Sequence, residues 1–404
     1  MPFRLPAMSE RYTPLYFLAA LGAGGLAVTF FLYLMFWIPH PGQSVPVFED
    51  IAAAFAAGGL GVKAMIGLAY AGIAFFAVLH IRLLIWNLRE YAGFRRTVAY
   101  SALRSGNAET QLLAVPLTLA MAINVGFILG LVFVPRLWSV VEYLFPLAMV
   151  AFLAVGGYAF LLLGDFFGRV LTKGGFDCAR NNSFSQMLPA FALSMVAVGL
   201  SAPASMSVTP LTAGISYIAS SFFMVSAVIL GAVALFLGFR SMMEHGANEE
   251  AAPTLWVAIP IMTVLSIAML RQSHGLHVHF ADHAGAAESF TMLTNMVAVQ
   301  VLFGLFGYVV LRRLGYFARY VWGDLRSPGS YALVCPGVAL SVLLQFYLNK
   351  GLVEVGLLAK FSPAYWAITA VALVLQAASV WLVLRLNAKH FAARETAPRV
   401  AAAE

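Results

Sequence analysis

Apolar residues gather in ten long runs, roughly 14–38, 63–86, 110–134, 142–168, 183–207, 212–238, 253–272, 290–311, 330–349 and 363–386, with short polar stretches between. An α-helix needs about 20 such residues to cross the hydrocarbon of a bilayer. The pattern predicts an all-α integral membrane protein with ten transmembrane helices. They fill residues 14–386, leaving a tail at 1–13 and another at 387–404. A second pattern lies on the first. Pro116, Pro189, Pro260 and Pro336 each stand six to eight residues into a run, 73, 71 and 76 residues apart, and two copies read nearly alike, PAFALSM and PGVALSV. Proline within a helix removes a backbone hydrogen bond and crowds the preceding turn. Four in step, all in odd-numbered runs, predict kinked inner helices; run 1 has Gly22, Gly24 and Gly25 instead. Five hairpins around a central axis follow, odd helices inside and even helices forming a wall. Pro146 in run 4 departs from the rule, and Pro363 sits where a first helical turn tolerates it.

Composition agrees: 62% of the 404 residues are hydrophobic and 10% charged, against about 25% charged in soluble domains. Positive charge marks cytoplasmic loops. With both ends cytoplasmic, all but five of the 24 Lys and Arg fall on that side; the exceptions are Lys63, Arg136, Arg271, Lys350 and Lys360. A multi-pass protein of a bacterial inner membrane is expected. The basic pI is then a topology signal, and a nucleic-acid partner is not expected. The residues before Glu10 are too polar for a cleaved signal peptide. Cys178 in a loop and Cys335 in a helix do not suit a structural disulfide.

Thr118, Asn124, Ser194, Thr263, Ser266 and Ser341 lie on odd helices past the prolines, whereas Asn295, Gln300 and Gln376 lie on even ones. Such groups either join helices or line a path. No acid pair is evident within the membrane, which disfavours a cation pump and leaves neutral solutes or anions.

Ten helices with both ends inside, five hairpins and prolines on odd helices resemble the tellurite-resistance/dicarboxylate transporter superfamily, which includes TehA and the plant slow anion channels. Pro253-Thr-Leu-Trp256 ahead of Pro260, and Tyr331-Ala-Leu-Val-Cys-Pro-Gly-Val-Ala339, are similar to segments of that family. The chain also resembles a divergent TsoY-like branch, in which selenocysteine can stand where a cysteine stands here. The resemblance implies a permease for an anion or small acid, a pore through each protomer, and a trimer. In the family a phenylalanine plugging the pore precedes the proline of helix 9; here that position is Cys335.

Cys335 therefore has two readings: a small buried hydrophobe, or a thiol facing the path, with Pro336 and Gly337 exposing backbone beside it. His274, His277, His279 and His283, with Asp282, crowd the stretch between helices 7 and 8. They read either as a solvated outer loop or as a divalent-metal or pH-sensing site, with His277 and His279 on one side of an extended chain. No resident cofactor is expected otherwise. The leading expectation is passage of a small solute along a path bordered by Pro116, Thr118, Pro189, Ser194, Pro260, Thr263, Cys335 and Ser341. The alternative is a membrane redox protein using Cys335 and a metal in the 274–283 stretch.

Overall fold

A computed structural model of the chain describes residues 5–280 and 285–391. Ten helical spans are long and apolar enough to cross a membrane: Pro14–Trp37, Leu60–Phe94, Asn107–Phe133, Leu137–Lys173, Ser185–Met206, Pro210–His245, Ala252–His279, Ala286–Arg313, Pro328–Val353 and Pro363–Phe391, numbered 1 to 10 below. Among the described residues there is no strand. The chain is an all-α, multi-span membrane protein.

Within the most apolar stretch of each span, 83, 61, 94, 61 and 72% of residues are buried in spans 1, 3, 5, 7 and 9, against 44, 33, 28, 17 and 28% in the even spans. Odd spans pack side by side in the order 1, 3, 5, 7, 9, and span 9 returns to span 1, closing a ring. Each even span lies in the groove between two odd ones: span 2 on 1 and 3, span 4 on 3 and 5, and so on to span 10 on 9 and 1. The outer faces carry the exposed apolar side chains a lipid neighbour requires, such as Leu68, Leu147, Ile218, Phe236, Leu302 and Val374. Tyr16 and Phe391 have ring centroids 6.1 Å apart, so both described ends share one face, called the N-terminal face here.

The proline repeat holds, but not as a set of kinks. Each odd span opens with a 3-10 segment, Pro14–Tyr16, Asn107–Leu113, Ser185–Met187, Ala252–Trp256 and Pro328–Leu333, and then becomes α-helical. Pro116, Pro189, Pro260 and Pro336 fall at the second or third α residue. A first-turn proline forfeits no helical bond, because that N–H would lack a partner anyway. The carbonyl four residues back must then be served at shorter range, and the Leu188 N–H does this for Ser185 ahead of Pro189. The prolines truly inside helices are Pro146 and Pro203. Pro203 leaves the Gly199 carbonyl without its usual donor.

The glycines of span 1 serve close packing. A Cβ at Gly22 would stand 2.8 Å from Val334 Cγ1, and one at Gly25 2.9 Å from Val338 Cγ1. Spans 1 and 9 could not close the ring at this distance with larger residues. At the N-terminal face the buried Glu109 joins spans 3 and 4: Arg104 Nε lies 3.0 Å from its Oε1 and Arg169 Nη2 3.0 Å from its Oε2.

Candidate functional site

Ring closure leaves space on the axis, in two chambers. The five 3-10 segments form the rim of the first, a vestibule of about 370 Å³ at the N-terminal face, with polar lining from Thr13, Gln111, Ser185, Asn248, Glu250, Thr254 and Ser327. The α-helical parts of all five odd spans enclose the second, an inner chamber of about 170 Å³. Its wall is almost wholly apolar and includes Phe31, Phe127, Phe145, Phe152 and Phe346. Loop residue Val45 also borders it, at the end away from the N-terminal face.

Three residues border both chambers: Phe191 of span 5, Pro260 of span 7 and Cys335 of span 9. All three are buried, Phe191 at 4% and Cys335 at 8% exposure. They form a single layer across the axis. Phe191 has by far the largest side chain of the three.

The inner chamber holds one charged group among its lining residues, Arg271 of span 7. It lies eight residues before the end of that span, about 12 Å along the helix. Its Nη1 donates to the Val198 carbonyl at 2.8 Å. No Asp or Glu among the described residues forms an ion pair with it. Asn124 Nδ2 donates to Ala120 O at 3.1 Å and to Met195 Sδ at 3.7 Å, which leaves its carbonyl oxygen for another partner.

The predicted site residues divide. Pro260, Thr263 and Cys335 line the inner chamber. Thr263 is already committed: its hydroxyl donates to Ala339 O at 2.9 Å and accepts from Gln300 Nε2 at 2.6 Å. Thr118, Ser194 and Ser341 do not border either chamber. Their hydroxyls donate to the carbonyls of Ala114, Phe191 and Ala372 at 2.8, 2.9 and 2.8 Å, so they bind helix backbones. Pro116, Pro189 and Pro336 also lie off the axis. Gly337 turns toward span 10, where an added Cβ would strike Ser379 Oγ; it provides close packing rather than open backbone at the path.

The histidine stretch is helical as far as His279, which corrects the extended-loop reading. On a helix His277 and His279 point apart, while His274 and His277 share a face. His279 Nε2 lies 2.9 Å from Ser207 O. Among the described residues no cluster of three or more His, Cys, Asp or Glu is placed to hold a metal; Asp282 and His283 lie outside the described residues.

Sequence reading missed Phe191 and Arg271. At two residues past the proline, the odd spans carry Thr118, Phe191, Met262 and Val338; the lone aromatic there was the available signal. Arg271 was counted only for topology. No protein-family model, no curated protein and no solved structure matches this chain.

Proposed function

We propose that the protein is a permease or channel for a small anion, which moves along the axis of the five-span ring. One observation carries this reading: two chambers, lined by all five odd spans, are separated by the single layer of Phe191, Pro260 and Cys335. A protein that only scaffolds a membrane has no need of an axial space, since interiors otherwise pack to crystal-like density. Arg271 gives the sign, because a half-buried guanidinium without a carboxylate partner favours an anion beside it.

The likeness to the tellurite-resistance/dicarboxylate transporters supports the same reading, with one relocation. The family's plugging phenyl precedes the helix 9 proline, where Cys335 stands here. A ring borders the same layer from span 5 instead, as Phe191. Cytoplasmic placement of the N-terminal face rests on its excess of arginines, and a trimer on the resemblance. Native mass spectrometry of the purified protein tests the trimer.

Purified protein in proteoliposomes tests the main reading. Protein-dependent, saturable flux of chloride, nitrate or small organic anions is expected, with little flux of potassium. Vesicles no more permeable to any of these than protein-free controls, both for wild type and for Phe191→Ala, would overturn it.

A further inference from the structure

Resting on the permeation reading, we propose that the solute is a monoanion with a short apolar body, a carboxylate or sulfonate head at Arg271 and a hydrocarbon body in the inner chamber. The chamber's chemistry is lopsided. One end presents a guanidinium with five N–H groups, of which, among the described residues, one donates to a protein acceptor, Val198 O. Apart from Asn124 and Thr263 the remainder is apolar: side chains such as Phe31, Met35, Phe127, Leu131, Phe145 and Phe346. Thr263 spends its hydroxyl on Ala339 and Gln300, so Asn124 is the nearest thing to a second polar partner.

Each class of anion fares differently there. A spherical inorganic ion would exchange hydration on all sides for one cationic contact and several phenyl rings, a costly transfer. A dianion would satisfy one head and leave the second among hydrocarbon. A monoanion with an apolar body matches both ends: the head pairs with the planar guanidinium fork, and the body replaces water against the Phe and Met side chains. Size agrees as well. The chamber is about 170 Å³, and an apolar cavity of about 150 Å³ holds a benzene-sized molecule. The body is then about four to six carbons.

Short carboxylic acids leak through bilayers when protonated, so alkanesulfonates, which stay charged, are the probes for flux. Isothermal titration of the purified wild type with methane- through hexanesulfonate, butanoate, 1,4-butanedisulfonate and chloride measures binding. Affinity should rise about threefold to fourfold per added methylene until the chamber is full. Butanesulfonate should bind at least tenfold more tightly than chloride or the disulfonate. Arg271→Gln should weaken butanesulfonate about 10- to 100-fold, and Arg271→Lys less, since an ammonium keeps the charge and loses the fork.

A flat response to chain length, tighter binding of chloride or the disulfonate, or undiminished affinity in folded Arg271→Gln would each overturn the proposal. So would the absence of butanesulfonate binding at about 1 mM. The chain-length series needs only the wild type, so it decides even if Arg271→Gln fails to fold. Sulfonate flux in proteoliposomes separates the two readings. Chain-length-dependent binding without flux of any solute sinks permeation and keeps the ligand class; flux indifferent to chain length and to Arg271 does the reverse.

Discussion

Replacing Phe191 with alanine should turn two chambers into one. The ring is 4% exposed and borders both chambers, while its partners in the layer, Pro260 and Cys335, are small. For a solute to pass with the ring in place, the side chain must leave its preferred rotamer, at about 0.5–1.5 kcal/mol, and press into packed neighbours, at about 1–3 kcal/mol. Removing the ring deletes a barrier contribution of about 1.5–4.5 kcal/mol, so flux should rise roughly 10- to 2000-fold. Stability moves the other way. A fully packed Phe→Ala change costs about 3–5 kcal/mol; with open space on two sides of this ring, about 2–3 kcal/mol is expected. The assay is stopped-flow anion efflux from proteoliposomes, normalised to folded protein, beside thermal unfolding in detergent. Phe17→Ala is the control: that ring is also buried but borders neither chamber. It should destabilise as much or more and change flux less than about threefold. If both variants raise flux equally, or Phe191→Ala leaves it unchanged in a folded protein, the layer is not the barrier.

Cys335 should react slowly with a small charged thiosulfonate in a Cys178→Ser background, since it is buried where Cys178 is exposed, and at least tenfold faster once Phe191 is alanine; equal rates would place the thiol away from the layer. Cys335→Phe should lower flux by filling the layer further, and unchanged transport would count against its place there. Glu109→Gln should destabilise by about 1–3 kcal/mol, less than a fully buried pair would lose, because Arg104 and Arg169 keep 36% and 23% exposure and can turn to solvent; an unaltered unfolding midpoint would refute its bridging role. Gly337→Val should cost about 1–3 kcal/mol through overpacking against Ser379 and leave flux per folded molecule unaltered. Altered anion selectivity in that variant would return Gly337 to the path.

Much of the architecture was legible because it rests on counting. Segment length and hydropathy give ten crossings, and prolines on alternate segments separate inner from outer helices. The chemistry at the axis was less legible, for physical reasons. The chain has 32 phenylalanines, and nothing local distinguishes Phe191, which borders both chambers, from Phe145, which borders one. Arg271 looks like any helix-end cation until the helix is found to run eight residues past it. Ser194, Ser341 and Thr118 were expected on the path from their place in odd segments; they border neither chamber, and each hydroxyl donates to a backbone carbonyl close at hand. The prolines carried the right repeat with the wrong geometry, since whether proline bends a helix or begins one depends on the hydrogen bonding of the four residues before it.

That last distinction sets the aim of the inner helices. A 3-10 helix turns about 120° per residue and an α-helix about 100°. Moving a junction between them by one residue rotates everything beyond it by about 20°. At the tip of a side chain 5–6 Å from the helix axis, that is roughly 2 Å of sideways travel, enough to carry a phenyl ring out of line with its neighbours. Pro189, Pro260 and Pro336 stand one or two residues after their junctions, where they restrict the bonding patterns the preceding turn can adopt. Each acts as an index mark on a dial. The three helices that meet in the layer of Phe191, Pro260 and Cys335 each carry such a mark, so their rotational settings are encoded within a few residues of the contact they must align.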